Sequence, residues 1–234
     1  MTFHPLVAEW FASQYGSPTD IQSKAWPVIA RGEHVLITAP TGSGKTLTAF
    51  LWSLNQLISN QNLRGATRVL YVSPLKALNN DIQRNLLTPL KELERIFHER
   101  DIDFPAIRVL TRSGDTPQSE RRRMLRHPPE ILITTPESLN LMLSSIGGRS
   151  ILGRVDTVIL DEIHAVINEK RGTYLMTAVD RLVGLSGDFQ RIGLSATITP
   201  MDVAAEFIGG FRVEKGPVEI GYVPRKVKQV RSNI

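Results

Sequence analysis

The residues with the clearest chemical potential are Ala39-Pro40-Thr41-Gly42-Ser43-Gly44-Lys45-Thr46. Gly42 and Gly44 let the backbone curl so that successive N–H groups point inward at phosphate oxygens. A helix predicted to begin at Lys45 adds the positive end of its dipole. Lys45 can reach the β- and γ-phosphates of a nucleotide, and the Thr46 hydroxyl can ligate Mg²⁺. The usual phosphate loop reads G-x-x-x-x-G-K-[ST], and here Ala39 stands in the place of the first glycine. A Gly-rich turn before an ordinary helix is the plainer reading. The apolar run before it and the helical pattern after it favour the phosphate loop, with Thr41, Gly42, Ser43, Gly44, Lys45 and Thr46 as its contacts.

A second group is Asp161-Glu162-Ile163-His164, which follows the apolar run Thr157-Val158-Ile159-Leu160. Two carboxylates at the end of a buried strand are costly without a cation. Asp161 can hold Mg²⁺ through its water shell, and Glu162 can orient or deprotonate an attacking water. Read alone, the pair also suits the start of a helix. A third group, Ser195-Ala196-Thr197, ends another apolar run. Its hydroxyls can bond the acidic group across neighbouring strand ends, or cap a helix before Pro200.

The elements that must position these groups alternate. Strands are expected at 35–37, 68–72, 107–110, 131–134, 157–160 and 191–194. Each is followed by a helical pattern, at 45–58, 76–98, 118–126, 137–144, 173–183 and 201–208. The strand runs carry almost no polar alternation, so both of their faces are buried, as in a parallel sheet covered by helices. The fold expected is an open, doubly wound, mostly parallel α/β domain flanked by helices, with functional residues at the carboxyl ends of the strands. Ahead of it, Leu6, Val7, Trp10 and Phe11 mark a short amphipathic helix. Gly16-Ser17-Pro18-Thr19-Asp20 marks a turn and the start of a helix over 21–30, capped by Thr19 or Asp20. Trp10, Trp26 and Trp52 sit at helical spacing and are expected in the core.

Composition narrows the class. The chain has 234 residues, 41% of them apolar and 22% charged, which are ordinary globular proportions. It has no cysteine, which excludes disulfides, thiol catalysis and cysteine-held metals. No stretch approaches the 18 apolar residues of a membrane span, and no secretory leader is visible, so a cytoplasmic protein with no membrane partner is expected. The formal charge of +5 permits a polyanionic partner without requiring one. Arg121, Arg122, Arg123 and Arg126 form a basic helix face, either solvated or set against nucleic acid.

In order along the chain, Gln22, APTGSGKT (39–46), SPLKAL (73–78), TTPES (134–138), DEIH (161–164) and SAT (195–197) resemble the first-half motifs of superfamily 2 helicases. The longer segments GSPTDIQ (16–22), SPLKALNNDI (73–82), SGDTPQSERRR (113–123), PPEILITTPESLNLML (128–143) and VILDEIHAV (158–166) are similar to the large helicase-related (Lhr) family. The resemblance runs from Phe3 to about Gly210. It implies a RecA-like P-loop domain that binds ATP and Mg²⁺ and belongs to a 3′-to-5′ motor on single-stranded DNA or RNA–DNA hybrids, linked to DNA repair. It implies that Gln22 reads the adenine edge. Tyr15 lies against the ring or in the core. Nucleic-acid contacts are implied at Ser73, Pro74, Lys76, Arg112, Gly114, Thr135, Pro136 and Glu137. His164, Ser195 and Thr197 are implied to couple the ATP site to a partner domain.

The pattern stops early. Motors of this kind use two RecA-like domains, and the 37 residues after Thr197 are too few for a second. The expectation is one ATP-binding domain over 1–215, with an adenine-recognition segment at 1–32. Residues 216–234 are expected as a last strand or a linker towards the second domain. The other reading is a nucleotide-dependent binding module without turnover of its own, which Lys45, Asp161 and Glu162 argue against.

Overall fold

A computed structural model of the chain describes residues 3–60, 65–74, 79–215 and 220–232. Lys76 and the rest of 75–78 lie outside the described residues. The chain begins with α1 (Pro5–Tyr15), α2 (Asp20–Ala30), β1 (His34–Thr38), α3 (Lys45–Ser59) and β2 (Val69–Val72). It continues through α4 (Asn79–Ile82), α5 (Thr88–Glu99), β3 (Val109–Arg112), α6 (Gln118–Arg126), β4 (Ile131–Thr134), α7 (Pro136–Leu143) and α8 (Ile146–Leu152). Then come β5 (Thr157–Leu160), α9 (Lys170–Ser186), β6 (Gln190–Ser195), α10 (Met201–Gly209), β7 (Phe211–Lys215), β8 (Ile220–Pro224) and β9 (Val227–Arg231).

The apolar runs form a seven-stranded sheet in the order β3-β4-β2-β5-β6-β1-β9, and every pairing in it is parallel. This is the doubly wound α/β fold. Because side chains alternate, each strand feeds two cores. Ile37, Tyr71, Ile133, Ile159 and Ile192 join the core under α1, α2, α3 and α5. Leu36, Leu70, Leu132, Val158 and Leu160 join the core under α7, α8, α9 and α10. The three tryptophans are buried in the first of these. Val227–Arg231 lies beside β1 in register His34↔Val227 to Thr38↔Arg231, as the outer strand of the sheet. β7 and β8 pair antiparallel as a separate two-stranded sheet.

Several boundaries differ from the sequence expectation. β3 starts two residues later than 107, because the loop from Phe104 leads into the pairing with β4 only at Val109. Within the described part, the helix expected over 76–98 is broken by a π-helical turn at Gln83–Leu87. Pro89 explains it: a proline inside a helix has no N–H to donate and crowds the carbonyl four residues back, and a wide turn ahead of it relieves both. α8 is unanticipated, since Gly147-Gly148 reads as a breaker. Gly148 is needed there, because a Cβ would stand 2.2 Å from the Met142 carbonyl oxygen. Ser145 caps the helix by accepting the Gly148 N–H.

Candidate nucleotide-binding site

The parallel register brings the carboxyl ends of β1, β5 and β6 side by side. Thr38 pairs with Ser195 and Leu160 with Gly193, so the segments after all three strands open into one cleft of about 300 Å³. Tyr15, Gln22, Thr41, Gly42, Ser43, Gly44, Lys45, Thr46, Asp161 and Glu162 line it. These predicted residues come from four separate parts of the chain.

The loop after β1 is shaped by its glycines. Gly42 and Gly44 have φ of +82° and +90°, which favour glycine. A Cβ at Gly44 would also stand 2.9 Å from Gln22 Nε2. Ala39 replaces the usual first glycine without penalty, because it is buried and extends the strand: its N–H donates to the Ser195 carbonyl at 3.3 Å. No side chain caps α3, so its first N–H groups are left for a ligand. Ser43 Oγ is buried with no hydrogen-bond partner among the described residues. Lys45 folds over the loop, and its Nζ donates to the carbonyls of Ala39 (2.5 Å) and Pro40 (2.8 Å). Burial lowers the Lys45 pKa, and Asp161, Glu162 and Asp81 pull it back up. A glycine-shaped cradle, an open helix start, an orphaned hydroxyl and a partly desolvated ammonium fit a phosphate group.

Gln22 is held by a capping box at the start of α2. Thr19 Oγ1 accepts the Gln22 N–H, and Gln22 Oε1 accepts the Thr19 N–H at 2.9 Å. Tyr15 is 46% exposed; its ring packs against Trp10 and Phe11 while also lining the cleft. Tyr15 is thus placed at the edge of the cleft and outside the buried core.

Asp161 is buried, and burial raises its carboxyl from the usual 3.8 to about 6. Its Oδ2 accepts the Tyr71 hydroxyl, and its Oδ1 accepts the Glu162 N–H at 2.8 Å. Burial, with the Asp161 charge beside it, pushes the Tyr71 phenol far up. Glu162 turns the chain with φ +54°, a left-handed conformation that a non-glycine residue rarely takes. Glu162 Oε2 meets His164 Nε2 at 3.3 Å. His164 Nδ1 accepts the Ala196 N–H at 3.1 Å and lies 3.3 Å from Ser195 Oγ. With Nδ1 accepting, Nε2 carries the proton towards Glu162. The acidic segment is thus joined to the end of β6 through one imidazole. Thr197 differs from expectation. It is exposed, makes no hydrogen bond to the acidic segment among the described residues, and lines a small hollow with Pro40 and Arg231.

Among the described residues, those expected to meet nucleic acid lie at or just past the ends of β2, β3 and β4. Ser73 is fully buried, and its N–H donates to the Thr134 carbonyl. Thr135 Oγ1 caps α7 by accepting the Ser138 N–H, and Pro136 is buried as the first residue of that helix. The Thr135 hydroxyl is thus engaged as a helix cap. Glu137 is paired with Arg171, which also donates to the Pro74 carbonyl at 3.0 Å. Arg112 has a buried Nη1 with no hydrogen-bond partner among the described residues, and burial beside Arg121 lowers its pKa. Arg121 donates to the carbonyls of Ser113, Gly114 and Thr116, so it braces this loop, while Arg122, Arg123 and Arg126 stay exposed.

Sequence reasoning missed Asp81, Arg84 and Asn85, which reach the cleft from α4 and the π-helical turn. The only signal for that turn was Pro89 inside a helical pattern. It also missed Tyr71, which looks like any core aromatic, and Arg171.

The model of the DEAD/DEAH box helicase family matches residues 19–205. The chain belongs to this family. Within it, the chain is an Lhr-type superfamily 2 domain. ATP-dependent helicase Lhr-Core protein 2 of Thermococcus barophilus is 50% identical over 214 residues, covering 90% of this chain and 25% of the relative. Lhr helicase/uracil glycosylase of Escherichia coli is 46% identical over 218 residues, covering 90% of this chain and 14% of the relative. The solved structure of Mycobacterium smegmatis helicase Lhr bound to ssDNA and AMP-PNP superposes with a TM-score of 0.87 at 44% identity, covering 98% of this chain and 28% of that one. The chain thus spans about a quarter or less of these relatives. Among the described residues, no helix is long and apolar enough to cross a membrane. The same residues contain no group of three His, Cys, Asp or Glu able to hold a metal alone. In general, Mg²⁺ is held by one or two carboxylates together with substrate phosphates rather than by a dedicated protein cage.

Proposed function

We propose that the chain is the ATP-binding domain of an ATP-dependent helicase or translocase. We read its track as single-stranded DNA or an RNA–DNA hybrid, its direction as 3′-to-5′, and its role as DNA repair in the cytoplasm. The observation that carries this reading is the cleft, where the phosphate cradle, the acidic pair and Gln22 converge. The DNA-and-nucleotide-bound relative supports the choice of track. Residues 1–215 are read as the ATP-binding domain, with 1–32 recognising adenine, and 216–234 as the last strand or the lead towards a second RecA-like domain of the full-length chain.

In this reading Lys45 leaves the Ala39 and Pro40 carbonyls for the β- and γ-phosphates. Thr46 and Asp161 would hold Mg²⁺, which supplies charge neutralisation at the phosphates. Glu162 takes the proton of the attacking water. His164 and Ser195 carry the change at Glu162 to the end of β6, where a partner domain can sense it. Arg112, Gly114, Ser73, Pro74, Lys76, Thr135, Pro136 and Glu137 are read as the contacts to the strand.

The test is thermal. Mg²⁺–nucleotide should raise the melting temperature, because it binds the folded state alone. Lys45→Ala should remove that shift. A Lys45→Ala chain that keeps the full shift would defeat the reading.

A further inference from the structure

We propose that Tyr71 is a positioning residue for the metal site: its hydroxyl fixes the Asp161 carboxylate in the orientation that the Mg²⁺ water shell requires. The inference rests on the ATP-site reading above. Tyr71 lies in β2, is fully buried and does not line the cleft. Its partners on the same face of the sheet, Ile133 and Ile159 in adjacent register, are apolar. A phenylalanine would fill the same space. What the tyrosine adds is one O–H, and that O–H donates to Asp161 Oδ2.

The second carboxylate oxygen, Oδ1, accepts the Glu162 N–H at 2.8 Å. Each oxygen therefore has one fixed donor and one lone pair left over. Two anchors on two oxygens lock both side-chain torsions of Asp161. With only the Glu162 anchor, the carboxylate can turn about its last bond. The phenol is itself held, since the Phe50 ring stacks on it at 4.9 Å between centroids and 29° between planes. Phe50 lies in α3, the helix that begins at the phosphate loop. One ring thus ties the phosphate-side helix to the acidic group.

Such outer partners typically change metal affinity about 10- to 100-fold when removed. The experiment titrates Mg²⁺ against binding of a fluorescent ATP analogue to the wild-type chain, Tyr71→Phe and Val179→Ala. Val179 lies in the core on the other face of the sheet and controls for a general loss of stability. The expected result for Tyr71→Phe is a Mg²⁺ midpoint about 10-fold higher, with affinity in EDTA unchanged. Val179→Ala should lower the melting temperature without moving the midpoint. A Tyr71→Phe midpoint equal to wild type overturns the inference. So does a Val179→Ala midpoint that moves as far, or a Tyr71→Phe affinity that falls equally in EDTA. A wild-type chain whose nucleotide binding ignores Mg²⁺ fails differently, since it overturns the ATP-site reading and this inference with it.

Discussion

At the residue scale, Glu162 sits on a left-handed turn that a carboxylate residue adopts only where the surroundings hold it. That turn points it at His164 and the cleft. An amide of the same shape cannot accept a proton from water, so Glu162→Gln in the full-length protein should lower kcat about 10²- to 10⁴-fold. Nucleotide affinity should stay, since Lys45, Thr46 and Asp161 are intact. Steady-state hydrolysis together with an equilibrium binding assay checks both halves. Asp161 gives a pH prediction. Burial raises its carboxyl from 3.8 to about 6, so the fold binds this proton more tightly than the unfolded chain does. Stability from this group is therefore full below about pH 4, declines as pH rises towards 6 and stays lost above it. The shift corresponds to about 3 kcal/mol. Asp161→Asn should raise the nucleotide-free melting temperature at pH 8 and flatten its change between pH 4 and 6. It should also lose Mg²⁺-dependent binding. Thermal scans across that range, with and without Mg²⁺–nucleotide, test the trade.

At the scale of elements, the site depends on close packing of α9 under the acidic segment. A Cβ on Gly172, near the start of α9, would stand 2.1 Å from the Val166 carbonyl oxygen. Gly172→Ala must push the helix away from the short turn Ile163–Ala165 that carries His164. Overpacking of this kind costs about 1–3 kcal/mol. Urea unfolding should show the loss, and full-length turnover should fall although the substitution touches no nucleotide contact. Much of this layer was legible in the sequence. Unbroken runs such as Val69–Val72 and Ile131–Thr134 could be satisfied only by burial on both faces. The phosphate loop and DEIH segment had to follow strands, because their glycines and carboxylates make sense only at strand ends. What stayed hidden depends on three-dimensional neighbours. The value of Gly148 and Gly172 lies in the backbone of Met142 and Val166, which each meets only because the chain doubles back before its helix, and Tyr71 gains meaning only from β2 lying beside β5.

At the scale of the whole molecule, the two cores share every central strand of one sheet. They should melt together, so calorimetry should show one transition over the chain rather than two separated ones. Nucleotide at 100 times its dissociation constant should add about 2.7 kcal/mol to that transition. Single-stranded DNA should bind weakly and lose affinity steeply with salt, since the contacts proposed go to phosphates. Fluorescence anisotropy at low and high salt measures the slope. A flat slope would remove the proposed track.

The parallel placement of β9 against β1 has a mechanical side. Tension drawn along β9 from its carboxyl end would load the five registered pairs His34↔Val227 to Thr38↔Arg231 in shear, all at once, rather than peel them one by one. Shear across a parallel pair resists force far better than unzipping. The strand that would share this load is β1, whose end carries the phosphate loop. In a single-molecule pulling experiment, rupture of β9 and occupancy of the cradle should therefore report on each other.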